Sequence, residues 1–195
     1  MSQNWITFCQ KDPVTVAKNI LGAYLIRETS EGIIKGRIVE VEAYGGFHDA
    51  GSHISKGVTA RTKIMLDTPG LAYVYIIYGM YHCLNLVAHT ENQAGAVLIR
   101  AVEPLEGLEI MKQRRGLSVA KNVCNGPGKL CQAFGITKAD NGHLLSEQPL
   151  YIVKGAPLPE EQVAATPRVN IDYAGEAKEW LWRFYIKDNP YISRK

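Results

Sequence analysis

The sequence predicts an α+β fold: one compact domain, residues 1–195, on a mainly antiparallel curved sheet with surrounding helices and a protruding β-hairpin. Three observations lead there. Strand-like and helix-like stretches are mixed, without the regular alternation of a doubly wound fold. Residues 71–87 hold four of the ten tyrosines within nine positions and break only at Tyr78-Gly79-Met80, which reads as a hairpin. No internal repeat, low-complexity tract or linker interrupts the 195 residues, a length that suits a single core.

Taken in order, Asp12-Pro13 opens a helix, with Asp as N-cap and Pro at the first helical position. Gly22 closes it, and Val14, Ala17 and Leu21 supply its apolar stripe. Residues 23–28 read as a strand, 29–32 as a turn, and 33–44 as a second strand with a bulge or bend at Gly36. The end of that strand alternates. Val39, Val41 and Ala43 face one way, and Glu40, Glu42 and Tyr44 the other. Two carboxylates on one strand face are most often solvated, and parity alone favours that reading. The sharper alternative is a carboxylate set on a rigid element at the mouth of a site.

Residues 45–61 lack periodicity and carry His48, Asp49 and His53. A loop of that length inside a domain is usually functional or disordered. Its spacing offers nothing for a metal: no helical His-x-x-x-His and no nearby Cys. In the hairpin, residues 71–77 and 81–87 are the arms. Leu71, Tyr73, Tyr75 and Ile77 share one face, and Ala72, Val74 and Ile76 the other. A tip made of Tyr78 and Met80 is either covered by a neighbouring segment or made to enter something else. Residues 88–95 are a polar loop. Residues 96–102 are an apolar strand interrupted by Arg100, which either snorkels to the surface or reaches a carboxylate or phosphate in a cleft. Residues 104–115 read as a helix whose acidic start and basic end complement its dipole. Asn125-Gly126-Pro127-Gly128-Lys129 opens another that ends near Gly135. Its Gly-rich entry suits an anion, but it has no Walker A frame. Residues 150–153, 168–171 and 182–186 supply the last strands.

Hydrophobic content of 46% and charged content of 21% are ordinary for a globular protein. A net charge of +3 permits nucleic-acid binding without demanding it. Lys56, Arg61 and Lys63 cluster before the hairpin, and Lys112, Arg114, Arg115 and Lys121 follow it; solvated faces are the commoner origin of such runs. There is no basic segment followed by an apolar block at the N-terminus, and no run long enough to span a bilayer, so a cytoplasmic protein is expected. Cys9, Cys83, Cys124 and Cys131 show no Cys-x-x-Cys spacing and read as reduced, buried thiols. The absence of a Gly-x-Ser-x-Gly elbow, a zinc signature and a dinucleotide fingerprint weighs against redox and phosphoryl-transfer chemistry.

What remains is a carboxylate, Glu42, beside Tyr44, a His-bearing loop, a Tyr-rich hairpin and a strand Arg. Aromatics around a slot suit a flat, electron-poor ligand. Apolar wedges that enter the minor groove unstack DNA, and a carboxylate beside such a slot can activate water. From the residues alone two other readings stay open. One is a non-catalytic nucleic-acid-binding module with the hairpin as stacking platform. The other is a sugar glycosidase using Glu40 and Glu42 as a pair.

Several segments together resemble the alkyladenine (3-methyladenine) DNA glycosylase family: Glu42-Ala43-Tyr44, His53, the run Tyr73–Tyr81, Asn85, the run Val97–Gly107, and Asn125-Gly126-Pro127-Gly128-Lys129-Leu130. The resemblance runs from about Thr7 to the C-terminus and is of the bacterial type, a catalytic core without the mammalian N-terminal extension. It implies a base-excision repair enzyme acting on damaged double-stranded DNA from the minor groove, as a monomer, in the cytoplasm and on the nucleoid. The enzyme would flip alkylated or deaminated purines out of the duplex and hydrolyse the N-glycosidic bond, using water rather than a Lys amine, with no metal and no cofactor. By the same resemblance Glu42 activates the water, and Arg100 and the main chain at Val169 hold it. Tyr44, His53 and Tyr75 wall the base pocket, Asn85 sits at its edge against undamaged purines, and Tyr78 enters the duplex. The composition of residues 45–52 departs from many relatives, which bears on damage preference.

Overall fold

In the computed structural model the chain is described over residues 2–194; Met1 and Lys195, the ends of the expected 1–195 domain, lie outside that range. The elements run α1 (Ser2–Cys9), α2 (Pro13–Ile20), β1 (Tyr24–Thr29), β2 (Gly32–Tyr44), β3 (Ala72–Ile77), β4 (Tyr81–Val87), β5 (Ala96–Glu106), α3 (Leu108–Arg115), α4 (Pro127–Phe134), β6 (Leu150–Val153), β7 (Val163–Thr166) and β8 (Arg183–Ile186). The fold is α+β, as the sequence predicts. All strands pair antiparallel in one open sheet organised by β2. One edge of β2 takes β5; the other takes β1 along its first half and β8 along its second. The β3–β4 hairpin extends the sheet beyond β5, β6 extends it beyond β1, and β7 beyond β8.

Strand parity decides what each face does. Val39, Val41 and Ala43 of β2 and Ala72 and Val74 of β3 point into the main core, where they meet α2 and α4 through Val16, Ala17, Ile20, Leu130 and Phe134. The opposite face of β2 carries Glu40, Glu42 and Tyr44. It is not solvated, as parity alone would favour: both carboxylates are completely buried. Smaller clusters cover this side, one around Ile54, Met65 and Tyr73, another around Ile171, Ala174 and Ala177 with Tyr44 packed against it. The covering segments arrive from far along the chain, so local alternation cannot reveal them.

Four local expectations shift. In α2, Asp12 caps as expected, its Oδ1 accepting from Thr15 N–H at 2.9 Å. The buried stripe is Val16, Ala17 and Ile20, with Val14 only half-buried, and Gly22 lies one residue beyond the Leu21 cap. Helix α1 has no counterpart in the sequence reading. It buries Trp5 and Cys9, a pair too sparse for a periodic signal, and Trp5 Nε1 donates to the Gly70 carbonyl at 3.2 Å. Only glycine fits at position 70, where φ is +100° and a Cβ would lie 2.6 Å from the indole nitrogen. The helix expected over 104–115 begins only at Leu108. Pro104 belongs to β5, opposite Gly36; the register steps from Lys35–Glu106 to Gly36–Pro104, so the bulge expected at Gly36 lies across from it, with Leu105 of β5 as the extra residue. The strand expected over 168–171 is displaced to β7. There Val163–Thr166 pair with β8, Pro167 follows, and the positive φ of Asn170 keeps the next residues out of the sheet. No helix among the described residues is long and apolar enough to cross a membrane.

Candidate active site

A cavity of about 380 Å³ opens on the covered face, between the end of β2, the β3–β4 arms and residues 169–173. Its size is in the range of small-molecule sites, about 300–1,000 Å³. Tyr44, His53, Tyr75, Asn85, Arg100 and Val169 all line it. Six positions spread over some 125 residues of sequence are thus brought to one place.

Glu42 lies one layer behind that wall. It has no exposed surface and does not itself line the cavity, but each of its hydrogen-bond donors does. Its Oε1 accepts from Val169 N–H at 2.7 Å. Its Oε2 accepts from the Tyr44 hydroxyl at 2.8 Å and from Arg100 Nη1 at 3.2 Å. Arg100 reaches inward because of a bulge. Ala101 faces Glu40 and Ile99 faces Val41, which leaves Arg100 as the extra residue of β5. Bulges re-aim side chains in this way. Burial would lower the Arg100 pKa, but the adjacent Glu42 and Glu40 carboxylates outweigh it and raise the value. Of the two alternatives for Arg100, the carboxylate-reaching one holds. Glu40 is different from Glu42: its oxygens are saturated by Arg100, Arg183 and Ser193, and it does not border the cavity. A two-carboxylate sugar site with Glu40 as partner has no opening to work through.

The aromatic wall comes from strand parity. Tyr73 and Tyr75 share the cavity face of β3, with ring centroids 5.4 Å apart, and the His53 ring stands nearly perpendicular to Tyr75 at 4.5 Å. His53 is carried by a short 3-10 turn, His53–Lys56, and its Nδ1 lies 3.0 Å from the Tyr73 hydroxyl. Burial, then the Arg61 charge, lowers the His53 pKa to about 4, so the ring is neutral near neutral pH. Burial also keeps the phenols protonated: Tyr73 is pushed up to about 12, and Tyr75 and Tyr44 are raised well above their ordinary range. Asn85 faces Tyr73 across the hairpin and donates through Nδ2 to the Tyr73 carbonyl at 3.1 Å. The wall is therefore largely aromatic and uncharged, with one guanidinium, that of Arg100, among its lining.

Residues 45–61 are ordered by a pair that sequence reasoning missed. Asp49 and Arg168 are both buried and form a two-pronged ion pair, 2.6 and 2.8 Å. Asp49 also accepts from Gly45 and Gly51 N–H, and Arg168 donates to the Ala43 and Ala177 carbonyls. The guanidinium carbon sits 4.8 Å from the Tyr44 ring centroid and 5.2 Å from that of Trp182. Arg168 thus backs Tyr44 and fixes its neighbour Val169 at Glu42. No local pattern could pair residues 119 apart. Tyr173 and Cys83, which also line the cavity, were missed as well; Cys83 faces Tyr75 across the hairpin. All four cysteines are free and buried. His48 is 6.4 Å from Trp180, and no cluster of metal-ligating side chains occurs among the described residues.

At the cavity mouth, where Tyr78 joins the lining, the hairpin tip stands free. Tyr78 is 75% and Met80 67% exposed, so the tip is not covered by a neighbouring segment. Tyr78 and Gly79 both have positive φ, +54° and +70°, and Met80 N–H returns to the Ile77 carbonyl, as in a type I′ turn. Glycine is at ease in that conformation and tyrosine is not. A strained, exposed aromatic at the rim of a cavity is the kind of outlier that points to function. Two basic groups also separate. Lys112 and Arg114 are ion-paired to Glu109 and Glu31 and Arg115 donates to Gln132, whereas Lys56, Arg61 and Lys63, like Lys121, are exposed and make no ion pair among the described residues. Arg61 lies over the Tyr75 ring at 5.9 Å.

Comparisons with known proteins agree with this geometry. The family description Methylpurine-DNA glycosylase (MPG) matches residues 7–190. A Clostridium perfringens (strain SM101 / Type A) protein is 46% identical, over 96% of this chain and 97% of its own. A protein of Alkaliphilus oremlandii (strain OhILAs) is 45% identical, over 96% and 97%. One from Methanocella arvoryzae is also 45% identical, over 96% and 94%. All three are named, provisionally, as 3-methyladenine DNA glycosylases. A match of this extent, with the cavity built from the segments that carry the likeness, means that the chain belongs to the methylpurine-DNA glycosylase family.

Proposed function

We propose that this protein is a monofunctional DNA glycosylase. It flips alkylated or deaminated purines, of the 3-methyladenine, 7-methylguanine, hypoxanthine and ethenoadenine kinds, out of duplex DNA and hydrolyses their N-glycosidic bond. The observation that carries this reading is the juxtaposition of a buried Glu42–Arg100 pair with an uncharged aromatic cavity beneath an exposed, strained Tyr78.

The duplex is met from the minor groove by a single copy of the chain. Tyr78 fills the gap left by the extruded nucleotide and offsets part of the unstacking cost, a few kcal/mol for an intact base and less for a damaged one. Lys56, Arg61 and Lys63, exposed and without an ion pair among the described residues, contact phosphates. The purine enters among Tyr44, Tyr75 and His53, where the ring faces favour a base made cationic by alkylation. Asn85 borders that slot and disfavours undamaged purines.

Water held between Arg100 and the main chain at Val169 attacks the sugar carbon. The C–N bond breaks and its electron pair leaves with the purine. Glu42 takes the proton from the water, and its charge faces the positive charge developing on the sugar. For this the O–H of Tyr44 turns away from Oε2, which leaves that oxygen's lone pair free to accept the proton. An alkylated purine leaves as a neutral base, whereas hypoxanthine needs a proton. Among the described residues no lysine lines the cavity, which supports water as the nucleophile and an abasic site as the product.

The test is an oligonucleotide duplex with one hypoxanthine or ethenoadenine, incubated with the protein and then cleaved by alkali at abasic sites. Cleavage at the lesion, appearing only after alkali, is expected. Binding to every such duplex without cleavage would leave a non-catalytic nucleic-acid-binding module instead.

A further inference from the structure

The proposed chemistry gives Glu40 nothing to do, yet it is completely buried and heavily bonded. Its Oε1 accepts from Arg100 Nε at 3.1 Å, Arg183 Nε at 2.7 Å and the Ser193 hydroxyl at 2.8 Å, and its Oε2 accepts from Ser193 N–H. Ser193 lies beyond β8, on a C-terminal segment with its own anchors. Asn189 Nδ2 donates to Glu103 on β5 at 3.1 Å, Asn189 Oδ1 accepts from Tyr191 N–H, and the Ile192 side chain is buried in the main core. Arg183 closes the loop by donating to the Arg194 carbonyl and to Thr166 Oγ1.

Seen from Arg100, each nitrogen of the guanidinium has a separate acceptor. Nε has Glu40, Nη1 has Glu42, and Nη2 has the Ser193 hydroxyl at 3.3 Å. Glu42 is one of three partners that orient the group. A long side chain on a bulge has rotamer freedom to lose, and a fork held at three points loses it before any ligand arrives. The Ser193 hydroxyl donates to Glu40 while accepting from Arg100, so one atom ties both sides of the network together.

We propose that residues 189–194 form a positioning strap for the reaction. Ser193, directly and through Glu40, fixes Arg100 against Glu42, so that the base and its charge partner are set before DNA binds. Glu40 and Ser193 are positioning residues; neither borders the cavity. The proposal rests on the glycosylase reading and adds to it a function for the chain end and for the second buried carboxylate.

The test compares wild type, Ser193→Ala, Ser193→Thr and Glu40→Gln by single-turnover excision from a hypoxanthine duplex, affinity for the same duplex, and thermal midpoint. Ser193→Ala changes no charge and keeps the backbone N–H bond to Glu40. Its excision rate is expected to fall about tenfold, the worth of one charge-assisted hydrogen bond, with affinity unchanged. Ser193→Thr, which keeps the hydroxyl, is expected to restore the rate. Glu40→Gln, if it folds, should follow Ser193→Ala in rate without loss of affinity. An active wild type with a Ser193→Ala rate equal to it would overturn the strap while leaving the glycosylase reading intact. So would a loss of rate matched by loss of affinity, or one that Thr does not restore. A wild type with no excision would overturn both.

Discussion

The guanidinium of Arg100 spans the two carboxylates of β2, with Nε 3.1 Å from Glu40 and Nη1 3.2 Å from Glu42. Removing it leaves Glu40 with Arg183 as its paired cation and Glu42 with none among the described residues. Arg100→Leu is expected to lose about 3–5 kcal/mol of stability near neutral pH, because a buried charge is left uncompensated. Urea unfolding measures this. Arg100→Lys should recover part of the stability but not the excision rate, since one ammonium cannot address three separated acceptors.

Tyr44 covers Glu42 with its hydroxyl and offers its ring to the cavity. Tyr44→Phe separates the two roles. Excision by this variant is expected to stay within about tenfold of wild type, since a hydroxyl that must turn away is dispensable. A loss as deep as that of a Glu42 variant would instead make the hydroxyl a relay for the proton.

Tyr78 and Tyr75 divide the hairpin between tip and arm. Tyr78→Asn places a residue tolerant of positive φ in the turn, so stability should be unchanged or higher by up to about 1 kcal/mol. Affinity for lesion DNA should drop about tenfold or more with the loss of base–aromatic stacking. Tyr75→Ala should chiefly lower excision rate and lesion selectivity. Equal defects from both, in binding and single-turnover assays, would contradict the division.

His53 is held neutral by burial and by Arg61, with a pKa of about 4 against 6.5 for a free side chain. Between those values the unfolded chain binds a proton that the folded one does not. Its contribution to stability is therefore complete above pH 6.5 and is lost as pH falls toward about 4. Wild type should lose more stability than His53→Gln on going from about pH 7 to about pH 5, as read by urea unfolding. The excision profile should show no inflection from His53 between about pH 5 and 8.

Most of the sheet was legible because β-strand parity is a local property. The hairpin arms fell where alternation and turn chemistry put them, and the bulge expected at Gly36 falls on the strand opposite it. The burial of Glu40 and Glu42 was not legible, since the segments that cover them come from residues 49–54, 168–180 and the chain end. Helix α1 and the displaced β7 were missed for a similar reason: one is held by a tertiary bond to Gly70, the other by its partner β8. For the site, strand parity and the hairpin break marked Glu42, Tyr44, Tyr75, Tyr78 and Arg100 as chemically notable, and His53 stood out only as a histidine in an aperiodic loop. Their roles, and the choice of Asn85 and Val169, rested on likeness to a family. Asp49–Arg168 needed the structure.

The central claim is that Glu42 is the base of a hydrolytic base excision. Glu42→Gln keeps the shape but has one acceptor oxygen, so it keeps the bond from Val169 N–H or that from Arg100 and not both, and it cannot accept the proton. Single-turnover excision from a hypoxanthine duplex, measured beside binding to the same duplex, tests it directly. The expected result is retained affinity with excision reduced to background; excision near the wild-type rate would place the base elsewhere.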